Sequence, residues 1–156
     1  MNRATYRPSV VGGAECRGEG GRWTLVFVRE LRHPPEKVWA ALTEPSQLSE
    51  WSPYGADEVT VTMSEAPRRL ACAWGTDALR WDLDAIDGGT RLTLRHTFDD
   101  RDGAPKYAAG WHLCVDVLGL FLDGEPIGAI RGEEAKDYGW DDLHDAYADK
   151  LRRSGP

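Results

Sequence analysis

The sequence predicts an α+β fold in which one face of an antiparallel sheet is covered by a long helix. Three consecutive segments between Arg69 and Phe98 alternate apolar with polar residues, and Gly-containing turns join them. This pattern is typical of an antiparallel meander with one dry face and one wet face. Apolar residues then recur at helical spacing from Trp111 to Leu122, which predicts an amphipathic helix against the dry face.

The composition indicates a single globular domain with no nucleic-acid or membrane partner. The chain has 156 residues, of which 41% are apolar and 29% are charged, and its net charge is −7. These values are ordinary for one domain with a sizeable core. Lys and Arg are scattered among acidic residues, which argues against binding to a phosphate backbone. No apolar segment is long enough for a membrane anchor or a signal peptide.

The chain divides into three parts. Residues 1–21 are Gly-rich and polar, so we predict a flexible N-terminal tail there. The domain itself is predicted over residues 22–124. Residues 125–156 form a C-terminal extension, in which a helix is expected to pack on the domain through the stripe of Trp140, Leu143, Tyr147 and Leu151.

Within the domain, a strand precedes two short helices. The run Trp23–Leu31 is rich in β-branched and aromatic residues, which predicts a strand. Pro34-Pro35 begins a helix, because the first turn needs no intrahelical backbone donors. The buried face of this helix is predicted to comprise Val38, Trp39 and Leu42. Pro45 ends it and begins a second short helix, which carries Leu48 and Trp51.

A further strand is predicted at Glu58–Met63, where apolar and polar residues alternate strictly. This alternation places Val59, Val61 and Met63 on one side of the strand. The three cysteines are widely spaced and form no CxxC pair, so neither a zinc site nor a dithiol redox site is indicated. We therefore expect a reduced, cytoplasmic protein.

Several short motifs follow one another between Trp23 and Gly124. They are the Pro-Pro helix with Val38-Trp39, Leu48 and Trp51, then Pro67-Arg68-Arg69-Leu70 leading into Ala73-Trp74, Gly89-Thr90-Arg91-Leu92-Thr93-Leu94, His96, and Ala109-Gly110-Trp111. In this order they resemble the START-like, or SRPBCC, superfamily, and within it the bacterial homologues of the heat-shock-protein-90 ATPase activator. The resemblance implies a helix-grip (START/Bet v-like) fold, in which a curved sheet wraps a C-terminal helix around a cavity.

One departure from the superfamily pattern affects the predicted sheet. The resemblance implies two extra strands after the second short helix, but only Ser52 to Asp57 separate Trp51 from the next strand. A sheet shortened by these two strands would have about five strands and would expose Glu58–Met63 as an edge. Because an uncovered edge invites pairing, we expect either a more open cavity or a homodimer through this strand.

Two interpretations of His96 stay open at this stage. Strand alternation places it on the same side as Leu92, Leu94 and Phe98, so it faces the long helix. It is either a ligand-binding or proton-carrying residue, or a core histidine satisfied by a backbone carbonyl or a neighbouring Trp. The only other inward ionisable candidate on the strands is Arg29.

The aromatic residues predict the walls of a pocket. Seven tryptophans are present, and several on the apolar faces would suit an apolar or aromatic small molecule. The predicted ligand-binding residues are Trp51, Tyr54, Trp74, Trp81, His96, Trp111, Val115 and Leu118. His112 and Asp116 lie four residues apart on the long helix, but a solvated helix face is favoured over a metal site. No catalytic residue, metal or cofactor is assigned.

Three functions are compatible with these observations. The favoured one is a non-catalytic protein that binds a small hydrophobic molecule between the sheet and the helix. The resemblance also implies two alternatives, a cyclase- or dehydratase-like enzyme acting on a polyketide-like or aromatic substrate, and an interaction module that stimulates a chaperone ATPase. An enzyme would require a second ionisable group near His96, whereas an interaction module would require a filled interior and an external apolar patch.

Overall fold

The computed structural model describes residues 3–153, apart from the side chains of Glu19 and Arg153. The strands are β1 (Ala14–Glu19), β2 (Arg22–Leu31), β3 (Thr60–Glu65), β4 (Arg69–Trp74), β5 (Asp77–Ile86) and β6 (Gly89–Phe98). The helices are α1 (Pro35–Thr43), α2 (Pro45–Leu48), α3 (Ala104–Leu122) and α4 (Trp140–Arg153). All neighbouring strands are antiparallel, in the order β1-β2-β6-β5-β4-β3. The predicted α+β class is confirmed.

The dry face of the sheet follows the predicted alternation. On β6, the inward residues Leu92, Leu94, His96 and Phe98 are all buried. Strand β2 lies beside β6, and the two pair from Trp23 opposite Phe98 to Leu31 opposite Thr90. Helix α3 packs on this face with eleven of its 19 residues buried. Burial of so much apolar surface is the main stabilising contribution to this layer.

The two short helices form where the prolines predict them. Pro35 occupies the first turn of α1 and Pro45 the first turn of α2. Val38 and Leu42 are buried, and Trp39 packs partly buried against the core. After α2, the buried indole of Trp51 donates to the Ala41 carbonyl at 2.9 Å, which satisfies its only polar group and fixes the chain beside α1.

The segment predicted as a flexible tail contains a strand that was not expected, over residues 14–19. Strand β1 pairs with β2 through residues 14–19, and Cys16 is buried opposite Leu25. A Cβ atom at Gly18 would lie 2.6 Å from the Trp23 ring. The glycine that suggested flexibility therefore makes room for an aromatic side chain on the neighbouring strand. A six-stranded sheet results instead of the expected five strands.

The other end of the sheet agrees with the predicted shortening, with one correction. Between Trp51 and β3 the chain forms a single 3₁₀ turn over Ala56–Glu58 and no strand pair, so β3 is an edge strand. A bulge interrupts its pairing with β4 between Val61 and Met63. The bulge breaks the strict alternation, and Val61 is 56% exposed although it was predicted to share a side with Met63.

Residues beyond α3 fold back over that helix. Helix α4 packs against α3 and β1 and buries Leu143, Tyr147 and Leu151. Gly139 adopts a left-handed conformation with φ of 86°, which turns the chain from a 3₁₀ segment (Gly132–Tyr138) into α4. Across residues 3–153, no helix combines the length and the apolar character that a bilayer crossing requires.

A buried polar network attaches the N-terminal segment to α3, where a solvated helix face was expected. The Asp116 carboxylate accepts hydrogen bonds from the Tyr6 hydroxyl (2.6 Å), the Ser9 hydroxyl (2.6 Å) and the Ser9 backbone (2.9 Å), and pairs with Arg29 at 2.6 Å. Its side chain is 7% exposed. His112 completes the network through Ser9 and the Tyr147 hydroxyl.

Burial opposes ionisation of the Asp116 carboxyl, but the hydrogen bonds from Ser9 and Tyr6 and the charge of Arg29 outweigh it. Together they hold the pKa of Asp116 below the ordinary value of 3.8. A depressed folded-state pKa means that the unfolded chain binds this proton more readily. The resulting stabilisation is complete above pH 3.8 and is lost as the pH falls through the folded-state pKa.

We therefore expect Asp116→Asn to lower the free energy of unfolding at pH 7 by about 1–3 kcal/mol, because charge-assisted hydrogen bonds are lost from a buried site. The stability of the variant should also fall less between pH 7 and pH 3, because it has no carboxyl at this position to be protonated. Denaturant unfolding between pH 7 and pH 3 measures both effects. Asp137→Asn, at an exposed carboxylate, is the control, and equal pH profiles for the two variants would contradict the assignment.

Candidate functional site

Aromatic rings fill the space between the sheet and α3 that was expected to be a cavity. Trp51 and Trp81 meet edge to face with ring centroids 5.9 Å apart, and Trp81 meets Trp111 at 5.4 Å. Tyr54 lies 5.0 Å from Trp74 and 6.4 Å from Trp111. These separations are those of direct edge-to-face packing. The interior is therefore solid at this layer.

An open cleft of about 370 Å³ lies beside this aromatic layer, and we call it the α3 cleft. Its inner wall is one face of α3, with Tyr107, Gly110, Trp111 and Cys114 at helical spacing. Its outer wall is the segment from Ile130 to Lys136 together with Trp140 at the start of α4. Trp74 of β4 and His96 of β6 form the floor. The volume is in the range of about 300–1,000 Å³ that is typical of small-molecule sites.

Both ring nitrogens of His96 have protein partners. The Trp111 indole N–H donates to Nδ1 at 3.0 Å, and Nε2 lies 2.8 Å from a carboxylate oxygen of Asp77. An indole nitrogen is a donor only, so Nδ1 must carry a lone pair. The proton of the neutral ring is therefore on Nε2, from which it is donated to Asp77.

The surroundings of His96 favour its neutral form. The residue is fully buried, and burial lowers the pKa of its imidazole below the ordinary value of 6.5, although Asp77 acts in the opposite direction. Protonation at Nδ1 would also place an N–H against the indole N–H of Trp111. Both nitrogens are therefore occupied while Trp111 and Asp77 are in place.

The outer wall of the cleft is held by two arginines. Arg3 donates to the carbonyls of Ile127 and Gly128 at 2.9 and 3.0 Å, pairs with Glu134, and lies over the Tyr138 ring. Arg131 donates from Nε to the Ser52 carbonyl at 3.0 Å. Residues near the N-terminus and after α2 thus fix the segment that faces α3 across the cleft.

The predicted site residues fall into three groups. Trp74, His96 and Trp111 line the α3 cleft. A second group, comprising Trp51, Tyr54 and Trp81, forms the buried aromatic layer behind its floor. Val115 and Leu118 are fully buried on α3 and do not line the cleft.

Sequence reasoning missed the outer wall and the partner of His96. Lys106, Tyr107, Arg131, Lys136 and Trp140 line the cleft but belong to no strand alternation or family motif. Asp77 follows Gly75-Thr76 in one of the Gly-containing turns that join the alternating segments. Asp77 lies two residues before Leu79, where the alternating stretch begins, and therefore on the same side of β5 as Leu79. This spacing was the one available signal in the sequence.

The described residues bring neither a cluster of metal-ligating side chains nor a thiolate to the cleft. Among residues 3–153, no three His, Cys, Asp or Glu side chains come together in a way that could hold a metal ion. Cys114 lines the cleft, but burial raises the pKa of its thiol to about 12, against a smaller opposite effect of the Arg131 charge. The thiol is therefore uncharged and weakly nucleophilic at neutral pH.

Comparison with solved structures shows the same fold in other proteins. CalU16 from Micromonospora echinospora, in solution, has a TM-score of 0.74 at 17% identity, with 96% of this chain and 99% of that chain covered. DynU16, from the dynemicin biosynthetic locus, has a TM-score of 0.63 at 20% identity, covering 70% and 51% of the two chains. An AHSA1-like protein from Aeromonas hydrophila has a TM-score of 0.58 at 16% identity, covering 65% and 92%.

These likenesses confirm the helix-grip architecture. At identities of 16–20% they show the fold alone. No protein-family model and no curated protein sequence matches the chain.

The hydrogen-bonded chain of Trp111, His96 and Asp77 makes a prediction for proton binding. We expect the pKa of His96 to lie below 6.5, to fall further in Asp77→Asn, and to rise in Trp111→Phe. The carboxylate raises the pKa, whereas the indole N–H blocks protonation of Nδ1. Side-chain ¹H–¹⁵N NMR titration reports the pKa and the tautomer together. A His96 pKa unchanged by Trp111→Phe, or a proton on Nδ1 in the parent protein, would refute this arrangement.

Proposed function

We propose that the protein binds a small hydrophobic molecule in the α3 cleft without transforming it. The observation that carries this proposal is the cleft itself, whose walls are mainly apolar and aromatic and whose volume is about 370 Å³. Aromatic walls with few polar groups suit a flat or lipophilic ligand. The fold shared with CalU16 and DynU16 is compatible with this role, and DynU16 comes from a biosynthetic locus for a small molecule.

Gly110 gives the cleft its depth. It lies in the middle of α3, where glycine costs about 1 kcal/mol relative to alanine. A Cβ atom built on Gly110 would meet no atom within 4 Å, so the neighbouring packing does not require a glycine here. Space for a ligand is a physical reason to keep the side chain absent.

The enzyme alternative is favoured by one specific observation, the pairing of His96 with Asp77 at 2.8 Å. A histidine oriented by a carboxylate is a common general base. In this protein, however, the nitrogen opposite the carboxylate accepts the indole N–H of Trp111. Acid–base chemistry would require Trp111 to release Nδ1, so binding without catalysis fits the resting geometry better.

The chaperone-activator alternative calls for a contiguous external apolar patch. Among the described residues, the large apolar side chains that are exposed are Val10, before β1, and Val61, on β3. They are separate positions on separate segments and do not form such a patch by themselves. No observation on the described surface favours this function over ligand binding.

We expect Gly110→Leu to weaken binding of a neutral fluorescent probe, N-phenyl-1-naphthylamine, by at least about tenfold, because the new side chain would occupy the cleft. Gly110→Ala is the matched control, since it makes the same change from glycine within the helix but adds little volume. Probe fluorescence measures the affinity, and thermal unfolding checks that α3 is intact. Equal affinities of the two variants for the probe, or no binding of the probe to the parent protein, would contradict the proposal.

A homodimer through the Glu58–Met63 edge strand remains a second, independent proposal. Strand β3 leaves one side without a partner strand within the described chain. Edge-to-edge pairing would satisfy its free backbone groups, although the bulge at Val61 shortens the available ladder.

The dimer is tested by light scattering over a range of protein concentrations. We expect a dimer that Val61→Lys converts to a monomer, because a charge on an edge strand opposes pairing. Val10→Lys is the control, since Val10 is also exposed but lies outside β3. A monomer at all concentrations would rule the dimer out.

A further inference from the structure

We propose that the ligand of the α3 cleft is an amphipathic anion, with an apolar body in the cleft and a carboxylate or similar acidic group at its mouth. This inference rests on the proposed function and deepens it. Three cationic side chains line the cleft, and they come from two separate segments: Lys106 from the first turn of α3, and Arg131 and Lys136 from the outer wall.

The charge at the mouth is opposite to the charge of the whole molecule. The chain carries −7, whereas the cleft lining has three cations and one carboxylate, that of Glu133. Glu133 is 91% exposed and lies 3.6 Å from Lys136. Within residues 3–153, no ion pair is formed by Lys106 or Arg131. A local positive potential on an acidic protein attracts anions and disfavours cations at this opening.

Arg131 is the best placed of the three groups to recognise a carboxylate. Its Nε is bonded to the Ser52 carbonyl at 3.0 Å, which restrains the guanidinium while the two terminal nitrogens keep their donors. A restrained guanidinium presents two parallel N–H donors to a carboxylate at a reduced entropy cost. Its charge also acts on the Cys114 thiol in the inner wall, so the charge is felt inside the cleft and not only at its rim.

Negative groups near the floor do not cancel this preference. Asp77 accepts the Nε2–H of His96, and its charge and that of Asp100 act on Tyr107 in the inner wall. Neither carboxylate lines the cleft. The apolar floor and the cationic mouth thus suit the two ends of one amphipathic molecule.

The experiment compares two probes with the same aromatic framework. N-phenyl-1-naphthylamine is neutral, and 8-anilinonaphthalene-1-sulfonate carries an added sulfonate. We expect the anionic probe to bind more tightly than the neutral probe. Arg131→Gln should weaken binding of the anionic probe by about fivefold, as expected for loss of a charge-assisted hydrogen bond. Lys106→Gln and Lys136→Gln should each weaken it by about twofold, as expected for exposed charges. Neutral-probe affinity should stay unchanged in the two lysine variants. Because the Arg131 side chain also holds the outer wall, Arg131→Gln is judged by its selectivity: the loss of anionic-probe affinity should exceed any loss of neutral-probe affinity by about fivefold.

Salt and a matched charge variant complete the design. Raising the salt concentration from about 0.05 M to about 0.5 M should weaken binding of the anionic probe and leave the affinity for the neutral probe unchanged. Arg32→Gln removes an exposed charge outside the cleft lining and should change neither affinity. Displacement of the neutral probe by dodecanoate, but less readily by dodecanol, extends the test to carboxylates.

The outcomes separate this inference from the proposed function. If the neutral probe binds and Gly110→Leu abolishes its binding, but the anionic probe binds no more tightly or ignores the three substitutions, the anion preference is wrong and the hydrophobic cleft remains. If neither probe responds to Gly110→Leu, both proposals are wrong. An equal loss of both probes in Arg131→Gln would show that Arg131 acts only by holding the wall, and would overturn its proposed role in binding the anion.

Discussion

The burial of the Trp111 indole is the constraint on which the site depends. A buried N–H needs an acceptor, and in this fold the acceptor is the Nδ1 atom of His96 on β6. His96 in turn donates to Asp77 on β5. One hydrogen-bonded chain therefore joins α3 to two central strands. It sets the depth of the helix over the sheet, the tautomer of the histidine and the floor of the α3 cleft.

A second polar network, centred on Asp116, also holds α3 in place. Asp116 is buried with Arg29 and accepts hydrogen bonds from the segment before β1. A buried carboxylate is tolerated because its partners are several and close. From the same N-terminal segment, Arg3 reaches the chain after α3. The N-terminal residues therefore serve as a structural part of the domain, and they support the outer wall of the cleft.

These two networks explain why the open volume lies where it does. Aromatic rings close the interior, with Trp81 between Trp51 and Trp111. The α3 cleft lies where the chain after α3 passes over the helix without packing closely against Gly110. The cleft has a rigid inner wall, made of helix and sheet, and an outer wall that is attached by side chains. This arrangement favours a binding role, because the one histidine in the floor is already saturated with hydrogen bonds.

Local periodicity in the sequence determined the fold class, most strands, the long helix and the inward direction of His96. Such spacing specifies which face of an element is apolar, and burial of that face follows. Only the tertiary structure decided that residues 14–19 form a strand, that Asp77 pairs with His96 and that Asp116 is buried. It also placed the cleft against residues 130–136, which carry no alternation or motif. Each of these depends on contacts between segments far apart in the chain, and local spacing contains no information about which distant segments meet.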